Sequence, residues 1–200
     1  MEWKEKQYSG RRFQDADWQE EEISGIVFED CQFHGATLSG LITRNCQFIN
    51  CDFSFARLDG SVHIRSGFLN CQFNGSTLFG ASFEECKATG SSFSGATITG
   101  LTISGGNFSF TVWQGCCLKK MDLHGCSFNS ADLSDVDLEK SVLTGCDLRH
   151  AVVMRANLRE ADLRGAHIDG VDLKSARMKN TQIDQEQAVL LAESLGAKLS

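Results

Sequence analysis

Residues 156–175 read ANLRE, ADLRG, AHIDG, VDLKS. Four five-residue units follow one another, each a small residue, a polar one, Leu or Ile, and two variable positions. Five matches neither common period. In an α-helix a step of five turns the side chain by roughly 140°, so the Leu positions scatter around the cylinder. In a straight strand five is odd, so successive Leu alternate between faces. All of them can point inward only if the chain turns a corner at every unit. A chain that turns at every unit coils, and stacked coils form a β-solenoid.

The register runs far beyond this stretch. With the Leu position as the centre of a unit, centres fall every five residues from Tyr8 to Ile183, 36 in all. Only Thr43, His63 and Ala88 among them are not large and apolar. Eleven of the fourteen Phe are centres, mostly early in the chain, whereas Leu dominates later. Two residues before each centre lies a small site, and eight of the nine cysteines occupy it: Cys31, Cys46, Cys51, Cys71, Cys86, Cys116, Cys126 and Cys146. Cysteines that replace Ala and Ser in a strict repeat are packing residues rather than disulfides or zinc ligands. Cys117 alone falls outside the small site and is expected to face outward.

Sixteen of the nineteen glycines lie two residues after a centre, at the expected corner. Series such as Gly40/60/80/100 and Cys31/51/71 recur at twenty, so four units complete a coil. Thirty-six units then give about nine coils, a rod about 43 Å long at roughly 4.8 Å per coil. The chain has no proline, which suits a backbone whose N–H groups are needed for pairing between coils. A loop of five or ten residues near 60–67 would leave this register intact.

After Ile183 the pattern changes. In DQEQAVLLAESLG, Ala188, Leu191, Ala192 and Leu195 are spaced as on a helix, Asp184 is a natural N-cap and Gly196 a natural stop. The division is a β-helix over 1–183 and a capping helix and tail over 184–200. An uncovered solenoid end invites pairing, so a cap or a dimer is expected. Ile183, Val189, Leu190, Leu191 and Leu195, with Leu199, make a homodimer interface the expectation.

The repeat A-[DN]-[LF]-x-x over 8–183 resembles the pentapeptide-repeat family, which implies a right-handed quadrilateral β-helix. The tail from Ile183 to Gly196 is similar to that of the Qnr-like and microcin-immunity-like proteins, which end in an apolar centre, polar residues, Leu-Leu and Leu-Gly. That resemblance implies a head-to-head dimer through the C-terminal end. It also implies binding to type II topoisomerases, DNA gyrase first and topoisomerase IV by extension, with protection against quinolones or peptide toxins. Qnr proteins carry loops that break the register, and no such break is visible in this chain.

Composition bounds the other classes. The net charge is −7 and the pI about 5.2, a poor basis for neutralising phosphates, so no direct nucleic-acid binding is expected. No apolar run reaches the roughly 20 residues of a membrane span, and the start of the sequence has no signal-peptide core; a cytoplasmic protein is expected. His34, His63, His124, His150 and His167 occupy different columns of the coil, and no phosphate loop or catalytic constellation stands out. No enzyme activity and no cofactor are expected.

The charge is uneven. Residues 1–60 sum to −5, 61–120 to +2 and 121–200 to −4. Asp162 and Asp172 stand just before centres, a structural position, while Asp135, Glu139, Glu160 and Asp169 lie outside it. Together these six form the expected acidic partner-binding face near the dimer axis. B-DNA of the rod's length carries about 25 charges, so any DNA mimicry rests on shape plus a concentrated acidic patch. Phe55, Phe79 and Phe110 fall outside the register as candidate exposed apolar contacts. The rival expectation is a pentapeptide scaffold that binds some other protein.

Overall fold

The computed structural model describes residues 5–198; residues 1–4, Leu199 and Ser200 lie outside it. The chain forms a parallel β-solenoid with one short C-terminal helix. Pairing between coils joins residues twenty positions apart, from Gln7↔Val27 to Asp162↔Gln182. The side centred on Tyr8, Phe28 and Phe48 is the first, and the sides centred on Phe13, Trp18 and Ile23 are the second, third and fourth.

Extended strands are confined to two sides and the first five turns. On the first side β1 (Gln7–Ser9), β3 (Val27–Glu29), β5 (Gln47–Ile49) and β7 (Gly67–Leu69) form one parallel sheet. On the fourth side β2 (Glu22–Ser24), β4 (Ile42–Arg44), β6 (Val62–Ile64), β8 (Ser82–Glu84) and β9 (Thr102–Ser104) form another. The other sides, and the coils after Ser104, are joined by single bridges. Counting every twenty-residue step, the bridged stretch is about nine coils. Residues 60–67 hold no loop: β6 and β7 keep the register there.

The corner rule is general. The backbone takes a positive φ at each of the sixteen corner glycines, and also at seventeen non-glycine residues, all at the same position of the unit. Inside, the early Phe centres stack in two ladders. Phe28, Phe48 and Phe68 follow one another at 5.0 and 4.9 Å, nearly coplanar. Phe33, Phe53, Phe73, Phe93 and Trp113 follow at 4.7, 5.0, 4.8 and 4.1 Å. The 4.8 Å coil spacing matches ring stacking, so identical aromatics at i and i+20 pack without voids.

The two polar centres are neighbours. Thr43 pairs with His63 in register, and both are buried. His63 Nδ1 lies 2.9 Å from Thr43 Oγ1 and Nε2 lies 3.0 Å from Ser61 Oγ. Thr43 also donates to Ser66 Oγ at 3.0 Å. The ring is satisfied as a neutral imidazole, and burial pushes its pKa down to about 3.

Besides a missing rung between Val152 and Asp172 at the 3-10 turn of Leu173–Ser175, the stack is broken on two adjacent sides at one level. Between residues 96–105 and the coil below, 115–124, no bridge forms on the third or fourth side: the ladder Thr77↔Thr97 resumes only at Cys117↔Asp137, and β9 has no partner below it. The adjoining turn, 106–115, keeps its pairing on the first and second sides, as Lys87↔Asn107, Asn107↔Ser127, Ser92↔Val112 and Val112↔Asp132. The cause lies in the small site. Leu101 and Met121 occupy it in successive coils, where the same column otherwise holds Glu21, Leu41, Ser61, Ala81, Ser141, Ala161 and Thr181; Leu41, followed by Ser61, is buried with its pairing intact. Two large side chains stacked in a position built for Ala or Ser prop the coils apart.

Candidate functional site

The six expected acidic contacts do not share a side. Asp135 stands at the corner between the second and third sides, Glu139 on the third, Glu160 at the corner after it and Asp162 on the fourth. Asp169 is on the first side, and Asp172 on the second, just before a 3-10 turn at Leu173–Ser175. Four of the six are paired. Arg155 clasps Asp135 through two bonds of 2.6 Å, and Arg164 clasps Asp162 at 2.9 and 2.6 Å. Lys119 reaches Glu139 at 3.0 Å and Lys140 reaches Glu160 at 3.4 Å. The guanidinium of Arg155 holds Asp135 below the usual carboxylate range, and Lys119 does the same for Glu139. Around these residues this end carries a mixed ladder of charge. Three of the pairs, 135/155, 119/139 and 140/160, are twenty residues apart. That spacing was open to reading in the sequence, whereas summing charge by segment hid it.

Phe55, Phe79 and Phe110 stand out from the surface, 63%, 60% and 60% exposed. Phe55 and Phe110 are also corner residues with φ of 58° and 59°. That backbone is the corner geometry of the repeat, shared with fifteen other non-glycine residues, and a bulky side chain bears some strain in it. The Phe55 ring lies over Gly75, which has room for it only because it lacks a side chain. Phe79 sits on the third side, its N–H bonded to Asp59 at 3.0 Å.

At the C-terminal end the helix α1 (Gln185–Ser194) begins at Asp184 in a reciprocal cap: Gln187 N–H donates to Asp184 Oδ1 at 3.0 Å and Asp184 N–H to Gln187 Oε1 at 3.0 Å. The same two residues close the solenoid. Asp184 Oδ2 accepts from Gly165 N–H at 2.8 Å, and buried Gln187 Nε2 donates to the carbonyls of Leu163 and Ala166 at 2.6 and 2.7 Å. These bonds replace those of a further coil. Sequence reading identified the cap at Asp184 and missed Gln187, although Asp-x-x-Gln is the capping-box spacing.

Of the expected dimer contacts, Ile183 and Leu191 pack against the core, Val189 is half-buried, and Leu190 and Leu195 face outward, Leu195 67% exposed. Near the C-terminal end Val171, Ala176 and Met178 remain only partly buried. The end is capped at its backbone and incompletely covered at its core.

The eight small-site cysteines are buried free thiols and Cys117 is an exposed one. Burial raises the thiols of Cys86, Cys116 and Cys126 to about 11 and that of Cys146 to about 12. Among the described residues no group of three His, Cys, Asp or Glu could hold a metal, and no helix is long and apolar enough to cross a membrane.

A model of pentapeptide repeats matches residues 23–62, 76–112, 107–145 and 141–180. No curated protein matches the chain in sequence. Among solved structures, trypsin-treated QnrB1, a plasmid-mediated fluoroquinolone resistance protein, is 25% identical over 97% of both chains, with a TM-score of 0.85. Full-length QnrB1 is 24% identical over 96% of this chain and 97% of its own, with a TM-score of 0.70. HetL, a pentapeptide-repeat protein involved in heterocyst differentiation in the cyanobacterium Nostoc, is 16% identical over 88% and 84%, at 0.57, a likeness of fold alone.

Proposed function

The chain belongs to the pentapeptide-repeat family, and from that premise we propose that it binds a bacterial type II topoisomerase, DNA gyrase first, and protects it from a poison of the fluoroquinolone kind. The observation that carries this reading is the agreement with QnrB1 along nearly the whole of both chains. The partly covered C-terminal core and outward Leu190 and Leu195 support a homodimer joined at that end. The buried free thiols suit a reducing compartment, the cytoplasm, where gyrase works. Binding is by surface contact, with no cofactor and no chemical step.

Contact rests on shape and on the strained, exposed Phe55 and Phe110 more than on charge. Four paired carboxylates and a net charge of −7 leave too little free negative charge to stand for DNA. The same pairing favours a second reading, a scaffold for some other protein partner. Supercoiling and cleavage assays with gyrase and ciprofloxacin separate the two. Recovery of supercoiling and fewer cleavage complexes on adding the protein supports protection, whereas no change at any concentration leaves the scaffold.

A further inference from the structure

The break between residues 96–105 and 115–124 is a cleft of about 920 Å³. Its two lips are strand edges. Continued pairing would join six N–H groups, those of Ile98, Gly100, Ile103, Gly105, Cys117 and Asp122, to carbonyls across it, and none makes such a bond. The carbonyls they would reach, from Ala96 and Leu101 above to His124 below, are likewise free of backbone donors. On the next coils every matching bond of the same sides is made, as in Leu78 N–H to Thr97 at 2.8 Å and Leu118 N–H to Asp137 at 2.8 Å. Two parallel, unpaired edges facing one another are a template for a strand.

We propose that this cleft takes an extended segment of a partner polypeptide, which pairs by its backbone with both lips. The lips suit a strand. Thr97, Thr99, Gly100, Thr102, Ser104 and Gly105 leave the upper one low and free of charge. Lys119, Lys120 and Asp122 stand on the lower one; Lys119 is held by Glu139, Asp122 accepts from His124 N–H at 3.1 Å, and Lys120 makes no ion pair among the described residues, so Lys120 favours an acidic residue in the guest. Glycines sit where the lips join the connecting turn: Gly105 and Gly106 at one end, Gly115 at the other. Gly106 has a φ of 105°, and any side chain there would strike the Cys86 carbonyl. These joints let the lips separate toward the two strand spacings, roughly 9.6 Å, that an inserted strand needs. The cleft is separate from the C-terminal end, so it stands whether or not the topoisomerase reading does.

Two measurements decide it. In the free protein, the amides of Ile98, Gly100, Ile103, Gly105, Cys117 and Asp122 should exchange at least tenfold faster than those of Thr97 and Thr102, which bond upward to Ser76 and Ala81. Equal protection would show the stack closed in solution and overturn the proposal. Next, a displayed library of unstructured dodecapeptides is selected against the wild-type protein. Thr97→Cys places a thiol one coil above Cys117, so oxidation ties the lips shut and reduction reopens them. Selected peptides should bind the reduced variant, lose at least tenfold in affinity when it is oxidised, and slow exchange at the six amides. Peptides that bind both forms alike, or a selection that yields none, overturn it; the reduced form controls for folding.

Discussion

At the residue scale, the corners state the terms on which the repeat tolerates exceptions. A left-handed backbone costs an L-residue about 1 kcal/mol; glycine escapes that strain but loses about 0.5–1 kcal/mol more chain entropy on folding. Phe55 and Phe110 bear that cost while exposing most of their surface. The two terms nearly cancel, so Phe55→Gly and Phe110→Gly should each leave thermal stability within about 0.5 kcal/mol of the wild type and weaken partner binding; a melting curve and a binding isotherm read the two effects. Loss of stability on both substitutions would mean that the rings pack after all. His63 is the opposite case, a polar group wholly inside. Its folded pKa of about 3 lies below the unfolded value of roughly 6.5, so the fold favours the neutral ring. Stability from this group is complete above pH 6.5 and falls as pH drops from there toward 3. His63→Phe, which continues the column into Phe83, should flatten that stretch of the stability–pH curve. An unchanged slope would place the acid sensitivity elsewhere.

At the scale of the element, the C-terminal helix does two jobs with one pair of side chains. Asp184 and Gln187 cap the helix, and the same amide and carboxylate complete the last coil's hydrogen bonds. Gln187→Ala would leave the buried Ala166 carbonyl unpaired and take from the Leu163 carbonyl one of its two donors, the other being Ala166 N–H, and should cost about 1–3 kcal/mol, seen as a lower melting temperature with early loss of the helix. A melting curve identical to the wild type would show the edge satisfied without it. The outward leucines belong to the homodimer proposed above. Leu190→Asp with Leu195→Asp should turn a dimer into a monomer in sedimentation, with the fold intact by circular dichroism. A double variant that sediments as the wild type does would remove the helix from any interface.

At the scale of the whole molecule, the five-residue register carries nearly all of the architecture. Apolar residues at every fifth position can be buried together only by a chain that turns at every unit, so Ala156 to Ser175 already imply the coil. The twenty-residue recurrence then places each residue above its partner. Two things escaped that reading because they arise between coils and not along the chain. Salt bridges such as Asp135–Arg155 and Lys119–Glu139 form across one coil step, and they dissolve the acidic face that a linear count suggests. The cleft follows from Leu101 lying over Met121, two residues acceptable singly and disruptive when stacked. Both signals are present at a spacing of twenty and are silent at a spacing of five. The partner, by contrast, is not encoded in the repeat, which serves core and corners alike; the shared length and shape with QnrB1 carry that inference.

The most direct test is equilibrium binding of the purified protein to intact gyrase, followed by sedimentation or by anisotropy of a label at Cys117, with linear duplex DNA as competitor. Saturable binding that the duplex displaces, and that weakens for Phe55→Gly and Phe110→Gly, is the predicted result. No binding to gyrase, or binding indifferent to both the duplex and the two substitutions, would contradict it.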